Sequence, residues 1–183
     1  MKKYFWDYTF LLSIAGVVVL LDQYTKSLVR ANLEFYETWA PWPWLMDYAR
    51  IVHIENSGAA FGMFQQLSGV FTVLPFIVSG AILYYFPKIP RSDWLIRLAL
   101  SLQLGGAIGN LIDRLTRKFV TDFISLGNFA VFNVADGAIS VGTAILILGI
   151  WLNERKKAAS SSESKTEADD SPSDNVTNPS PDE

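Results

Sequence analysis

The chain has 183 residues, of which half are hydrophobic and none is cysteine. The lack of cysteine excludes disulfides, thiolate nucleophiles and thiolate metal sites, and the single histidine, His53, excludes a two-histidine metal site within one chain. The net charge of −3 arises in residues 158–183, which carry seven carboxylates and one lysine, so residues 1–157 are mildly basic.

The last 26 residues, 158–183, differ in composition from the rest of the chain. They are rich in Ser, Asp, Glu and Pro and contain no aromatic residue. Because such a segment has too little apolar surface to bury, we predict a disordered acidic tail and assign it no function.

The apolar residues of 1–157 form long runs, which is typical of a polytopic membrane protein rather than a globular core. The runs predict four transmembrane helices at about residues 8–28, 69–86, 94–112 and 133–152. No small-residue cleavage site follows the first run, so we interpret it as an uncleaved span and not as a signal peptide. The predicted fold class is an all-α polytopic membrane protein with one membrane domain.

Four spans place both termini on the same side of the membrane. That side carries nine of the fifteen Lys and Arg residues, so the positive-inside rule predicts that the termini are cytoplasmic. Segments 32–68 and 113–132 are then extracytoplasmic. The unusual polar residues next to the spans all gather at that face: Asp22, Asn56, Asn110, Asp122, Asn133 and Asp136.

The segment 32–68 contains three patterns. Trp39–Trp44 alternates tryptophan with proline, which is incompatible with a regular helix and suits the lipid headgroup region. Tyr48–Asn56 alternates in part as a strand does, with His53 expected on its surface. The small residues of Asn56–Phe64 predict a tight turn that leads into an interfacial helix.

Asp122 and Asp136 flank the return of the chain to the membrane. Two extended runs, Phe119–Leu126 and Phe129–Asn133, predict a hairpin with a two-residue turn, which sets Asp122 opposite Asn133. Asp136 follows in the first turn of the last span, where the helix N-terminus favours a charged carboxylate.

Close carboxylates at low dielectric do not both ionise readily, and the pair titrates as a unit. A carboxylate beside a carboxylic acid is able to activate water and to polarise a scissile carbonyl. We therefore interpret Asp122 and Asp136 as a water-activating pair for peptide hydrolysis. Asn110 and Asn133 are suited to orient the carboxylates or to hold a substrate backbone.

Two further charged pairs adjoin the spans. Asp22 and Lys26 lie four residues apart on one predicted helix face, where they can pair, and Asp22 directly follows the apolar run. Asp113 and Arg114 are interpreted as a helix-end ion pair, with phospholipid headgroups as an alternative partner of Arg114.

Other interpretations have less support. The metalloprotease His-Glu-x-x-His and the Gly-x-Ser-x-Gly nucleophile motif are both absent. A Ser57–Lys26 dyad lacks a motif, and a metal held by the oxygens of Asp22, Asp122 and Asp136 is a weaker alternative. From other functional classes, a small transporter with these Asp residues as proton relays and a non-catalytic assembly factor stay open.

Five blocks of sequence occur in the order seen in the lipoprotein signal peptidase (signal peptidase II) family. The blocks are Leu21–Lys26, Asn56–Gly62, Gly105–Arg114, Val120–Phe123 and Phe132–Asp136. The chain resembles this family over roughly residues 8–152, and the acidic tail lies outside the match.

The resemblance implies an aspartic endopeptidase of the bacterial cytoplasmic (inner) membrane. It would remove signal peptides from diacylglyceryl-modified prolipoproteins, cutting just before the lipidated cysteine. Asp122 and Asp136 would be the catalytic pair, and no metal or other cofactor is implied. Support of the pair or substrate binding falls to Asp22, Lys26, Asn56, Gly58, Asn110, Arg114, Asn133 and Ala135.

The resemblance also implies that segment 32–68 forms an extracytoplasmic β platform and a mobile interfacial helix over the site. The expected partners are prolipoprotein substrates and membrane phospholipid, without nucleic acid. The protein is expected to act as a monomer.

Overall fold

The computed structural model describes residues 2–57 and 68–169. The chain forms two compact units, Met1–Gly149 and Ile150–Glu183. The described helices are α1 (Lys2–Asn32), α2 (Ser68–Tyr85), α3 (Trp94–Arg117) and α4 (Val134–Asp169), and the strands are β1 (Thr38–Trp39), β2 (Ala49–Asn56) and β3 (Val120–Leu126). The predicted helical membrane fold with a small sheet is confirmed.

Three of the described helices are long and apolar enough to cross a membrane, over Tyr4–Asn32, Trp94–Arg117 and Val134–Lys157. The apolar part of the remaining helix is shorter and covers Thr72–Lys88. At 1.5 Å per residue, α1 is about 46 Å long and exceeds the hydrocarbon thickness of about 30 Å. The first and third helices therefore extend beyond the spans predicted from hydropathy.

The last helix continues into the acidic tail. α4 ends at Asp169, whereas the sequence predicted the end of the span near residue 152 and no regular structure from residue 158. Ala, Glu and Lys in this stretch are good helix formers, and extending an existing helix needs no new nucleation. Residues 170–183 lie outside the described residues.

The first unit is built on the contact between α1 and α3. A Cβ added to Gly105 would lie 2.7 Å from Val18 Cβ and 2.9 Å from Ala15 O, so the two helices approach closely there. A buried cluster, here called the apolar layer, joins α1, α2 and α3: Leu11, Ala15, Ile82, Phe86 and Leu104.

The sheet has the order β1-β2-β3, and both pairings are antiparallel. The strand predicted at residues 48–56 is confirmed as β2. His53 within it is only 8% exposed, with Nδ1 2.9 Å from Leu33 O. The expected surface position of His53 is therefore wrong, because this face of β2 packs on the chain that follows α1.

The predicted hairpin after β3 is confirmed only in part. The Phe129 N–H donates to Leu126 O at 2.9 Å and closes the predicted two-residue turn, but the pairing beyond it is short. The principal partner of β3 is β2, with Ile54 opposite Asp122. The returning chain makes only an isolated bridge between Ile124 and Phe132, one residue out of the predicted register. The Gly127 N–H, in a left-handed residue (φ 51°), donates to Tyr48 O at 2.7 Å, which holds this turn against the start of β2.

Trp39–Trp44 has no α-helix, as predicted: Trp39 ends β1, and a short 3-10 turn, Pro43–Leu45, begins within the segment. Trp42 and Trp44 stack with ring centroids 6.1 Å apart and are both exposed. Exposed indoles of this kind are common at the water–lipid boundary.

Candidate active site

Asp122 and Asp136 lie on either side of a single residue, Asn133. The Asn133 side-chain amide donates to Asp122 Oδ1 at 2.6 Å, and its backbone N–H donates to Asp136 Oδ2 at 3.2 Å. Asn133 itself is fully buried. The two carboxylates, which we call the dyad, are thus neighbours in space although one belongs to β3 and the other to α4.

The start of α4 fixes one member of the dyad. Asn133 directly precedes the helix, and its Oδ1 accepts the Asp136 N–H at 3.0 Å, while Asp136 accepts the Asn133 N–H in return. These reciprocal bonds form a capping box, with Asp at the position that Glu often takes. The helix dipole at this end favours a negatively charged carboxylate.

Two more amides hold the remaining oxygens of the dyad. Asn56, at the end of β2, donates from Nδ2 to Asp122 Oδ2 at 2.8 Å. Asn110 in α3 donates from Nδ2 to Asp136 Oδ1 at 2.7 Å. Each carboxylate oxygen therefore has a fixed donor and retains a second lone pair for water or substrate.

Asp122 is 3% exposed, and burial raises the pKa of its carboxyl to about 6. The charge of Asp136 also acts to raise this pKa, whereas the hydrogen bonds from Asn56 and Asn133 act to lower it. An ordinary Asp has a pKa of about 3.9 and is fully ionised near pH 6. Asp122 instead exchanges a proton in that range, as a general acid–base group must.

A second polar group lies beside the dyad and is called here the buried ion cluster: Asp22, Lys26 and Asp113. Lys26 Nζ lies 2.8 Å from Asp22 Oδ2 and 3.1 Å from Asp113 Oδ2, and none of the three side chains is more than 1% exposed. The predicted pairing of Asp22 with Lys26 is confirmed. Two carboxylates on one ammonium give the cluster a formal charge of −1.

Asn110 connects the buried ion cluster to the dyad. Lys26 Nζ donates to Asn110 Oδ1 at 2.8 Å, and Asn133 Nδ2 lies 3.2 Å from the same oxygen. Because Lys26 can only donate, Asn110 must present its oxygen to Lys26 and its NH₂ to Asp136. Lys26 thereby fixes the orientation of an amide that holds the dyad.

Asp22 also positions the start of α4. Its Oδ1 accepts the backbone N–H of Ala135 at 3.0 Å. A Cβ on Gly109 would lie 2.7 Å from Asp22 Oδ2, so only glycine leaves room for this carboxylate. Asp22 and Ala135 therefore position the helix that carries Asp136.

The interpretation of Asp113 as the partner of Arg114 is wrong. Asp113 is fully buried, binds Lys26, and accepts the Thr121 N–H at 3.2 Å. Arg114 is half-buried and interacts electrostatically most with Asp136, then with Asp122, and least with Asp113. Residues three or four apart on a helix lie on the same face. The three-residue spacing of Asn110 and Asp113 therefore could have indicated that both side chains face Lys26.

Two residues that were not predicted from the sequence, Gln23 and Arg30, adjoin the buried ion cluster. Gln23 Nε2 donates to Gly109 O at 3.0 Å and to Asp22 Oδ2 at 3.1 Å. Arg30 donates to Thr121 Oγ1 at 2.9 Å and lies 3.8 Å from Asp113. The spacing of Asp22, Lys26 and Arg30, four residues apart on α1, would have placed Arg30 on the same face.

Other predicted arrangements are not assembled. Both Asp22 oxygens are taken by Lys26 and Ala135, so Asp22 does not complete a metal site with the dyad. No group of three His, Asp or Glu side chains within residues 2–57 and 68–169 is arranged to hold a metal. Ser57 is exposed, whereas Lys26 is fully buried. Gly58 and the predicted interfacial helix lie outside the described residues.

Comparison with known proteins places this site in a family. A family model described as signal peptidase (SPase) II matches residues 14–152. The lipoprotein signal peptidase of Shouchella clausii is 38% identical over 148 residues, which cover 80% of this chain and 96% of that protein. The lipoprotein signal peptidase of Halalkalibacterium halodurans is 42% identical over 147 residues, covering 78% and 92%.

The fold comparison agrees. A solved structure described as a bacterial membrane enzyme, determined by the in meso method at 2.3 Å, superposes with a TM-score of 0.72 at 28% identity. The superposition covers 80% of this chain and 90% of that one. The region matched by the family model contains the dyad and the buried ion cluster. This chain therefore belongs to the signal peptidase II family of proteases.

Proposed function

We propose that this protein is an aspartic endopeptidase that removes the signal peptide from diacylglyceryl-modified prolipoproteins, cutting just before the lipidated cysteine. The observation that carries the proposal is the bridge through Asn133, whose side-chain amide binds Asp122 and whose backbone N–H binds Asp136. Membership in the signal peptidase II family supports the substrate class, since the named relatives are lipoprotein signal peptidases.

In the proposed mechanism the dyad holds one proton. Asp122, with its pKa raised by burial to about 6, keeps the proton, and Asp136 at the α4 N-terminus is the carboxylate. Asp136 takes a proton from water as the hydroxide oxygen attacks the scissile carbonyl, and Asp122 donates its proton to the carbonyl oxygen. The tetrahedral intermediate then collapses: Asp136 gives its proton to the departing nitrogen, and a hydroxyl of the intermediate returns a proton to Asp122, which restores the singly protonated dyad.

We place the termini in the cytoplasm and the dyad near the extracytoplasmic face of the inner membrane. The excess of Lys and Arg on the side of the termini supports this orientation. Exposed Trp42 and Trp44 on the same side as the dyad support a position at headgroup depth. An acylated cysteine anchored in the bilayer presents its peptide bond at that depth, and its acyl chains leave the site between helices into lipid.

One chain supplies both carboxylates and all four of their amide donors, which supports action as a monomer. A proton relay across the membrane has less support. The apolar layer, Leu11 to Leu104, is at most 5% exposed in each residue and separates the buried ion cluster from the polar residues at the other end of α1 and α3. A continuous polar path is disfavoured there.

The substrate assignment predicts a strong preference for lipidated precursor. Detergent-purified protein should cleave a diacylglyceryl-modified prolipoprotein with a kcat/KM at least about a hundredfold above that of the same precursor with Cys→Ser, because buried acyl chains add binding energy. Mass spectrometry of the product locates the cut. Equal cleavage of the two precursors would contradict the proposal.

The proposed proton on Asp122 predicts a pH dependence. Activity requires the singly protonated dyad, so kcat/KM should fall as pH rises through about 6. The Asn56 hydrogen bond lowers the pKa of Asp122, so Asn56→Ala should raise this pKa. The basic limb of the profile, where kcat/KM falls with rising pH, should then shift to higher pH by about one unit. The exposed amide of Asn32 supplies the control, Asn32→Ala. A limb that stays in place or moves to lower pH would refute the protonation scheme.

A further inference from the structure

A second charged site lies at the opposite end of α1 and α3 from the dyad. Asp7 is fifteen residues before Asp22 on the same helix, which is about 22 Å along the axis. There a cavity of about 560 Å³ opens between the start of α1 and the start of α3. We call it the two-arginine pocket; its walls include Trp6, Asp7, Phe10, Arg91, Trp94 and Arg97.

Arg97 is a fixed cation in this pocket. It is 4% exposed, donates to Asp7 Oδ1 at 2.8 Å and to Ile89 O at 3.1 Å, and lies 4.4 Å from the centre of the Phe86 ring. Neither the dyad nor the buried ion cluster touches it. A guanidinium held on three sides has little freedom to leave, so its charge stays in the wall of the pocket.

Arg91 brings a second cation to the same carboxylate. Its Nε lies 3.0 Å from Asp7 Oδ1, the oxygen that also receives Arg97, while 56% of the Arg91 side chain is exposed. Among the residues that line the pocket, two guanidinium groups face one carboxylate, which gives the lining a formal charge of +1. The N-cap of α3 is Asp93, whose carboxylate offsets the positive potential of the helix N-terminus. The electrostatics of the pocket therefore favour an anion.

The walls point to an anion attached to an apolar body. Trp6 and Trp94 are 63% and 60% exposed, and Phe10 is 39% exposed on the apolar surface of α1. Exposed indoles mark the membrane interface, and basic pockets between membrane helices on the cytoplasmic side bind lipid headgroups. A free phosphate would use the arginines but not these apolar walls.

We propose that the two-arginine pocket binds the headgroup phosphate of an anionic glycerophospholipid of the inner leaflet. Arg91 contacts the phosphate oxygens, Arg97 supplies the fixed charge, and the acyl chains follow the apolar surface of α1 past Phe10. The site is separate from the dyad and needs no peptidase activity. A lipid bound in the pocket contacts both the start of α1 and the start of α3.

The test is lipid retention by the full-length, detergent-purified protein, measured by native mass spectrometry with phosphatidylglycerol. Arg91→Gln should weaken the Kd about tenfold or more, because charge-assisted bonds to phosphate are lost. Arg155→Gln is the matched control: Arg155 lies 4.1 Å over the Trp151 ring and is not among the residues that line the pocket, and its loss should leave the Kd unchanged. Ser13→Phe fills the pocket, keeps both arginines, and should also weaken binding.

Two further arms separate the possible sources of phosphate. Zwitterionic phosphatidylethanolamine should bind more weakly than phosphatidylglycerol, and sn-glycerol 3-phosphate at the same concentration should not displace the lipid. Wild-type affinity in both Arg91→Gln and Ser13→Phe would overturn the site. Displacement by the soluble phosphate would overturn the lipid assignment, and equal binding of the two lipids would overturn the charge argument.

Discussion

Asp122→Asn and Asp136→Asn should each lower kcat for prolipoprotein cleavage by about a thousandfold or more. An asparagine side chain neither accepts a proton from water nor donates one to the carbonyl oxygen near neutral pH. Either change therefore removes the general acid or the general base of the pair. In addition, each new NH₂ group would face amides that already donate: Asn56 and Asn133 around residue 122, and Asn110 around residue 136.

The double variant should lose little more activity than either single variant, since residues that act as one unit are strongly non-additive. Asp47→Asn is the matched control. Asp47 is an exposed carboxylate in the same segment as Asn56, and its loss should leave kcat unchanged. Thermal unfolding shows whether each variant is folded. A folded Asp122→Asn or Asp136→Asn protein that cuts at the wild-type rate would exclude the dyad mechanism.

The membrane helices were predictable because hydropathy reports burial in lipid directly. The ends of the helices were not: α1 and α3 continue past their predicted spans, since polar residues such as Arg30 and Asp113, whose side chains are 15% and 1% exposed, have partners inside the protein there. Hydropathy assigns such residues to water. A hydropathy scale does not recognise a polar side chain whose hydrogen-bond partners lie inside the protein.

Proximity of Asp122 and Asp136 was predictable, but the connection between them was not. The predicted register set Asp122 opposite Asn133, but β3 pairs mainly with β2, and the returning chain meets β3 one residue out of that register, at Ile124 and Phe132. Asn133 reaches Asp122 through its side chain, from the N-cap of α4. Strand register follows from backbone partners distant in sequence, which local alternation does not specify.

The buried ion cluster explains how a polar site is held rigidly among apolar helices. Its bonds run from α1 through Lys26 to α3, from α3 through Asp113 to β3, and from Asp22 to the first turn of α4. Four elements are thereby linked, including both that carry the dyad. The geometry of the dyad thus depends on residues that lie outside it.

Lys26→Met should give the largest loss of stability of any single change. It leaves the carboxylates of Asp22 and Asp113 buried without their cation, a defect that costs roughly 3–5 kcal/mol and lowers Tm by about 10 °C in a chain of this size. The exposed cation Lys118 at the end of α3 provides the control, Lys118→Met. Circular dichroism melts in one detergent measure both.

Neutralising the stranded carboxylates separates stability from catalysis. Lys26→Met combined with Asp22→Asn and Asp113→Asn should recover most of the lost Tm, since each asparagine oxygen is still able to accept its backbone N–H, from Ala135 or from Thr121. Cleavage should stay impaired about tenfold or more, because Asn110 Oδ1 loses its shorter, charged donor, Lys26, and keeps only the longer bond from Asn133 Nδ2, so the NH₂ group of Asn110 is held less firmly toward Asp136. Full recovery of kcat in this variant would show that Lys26 serves stability alone.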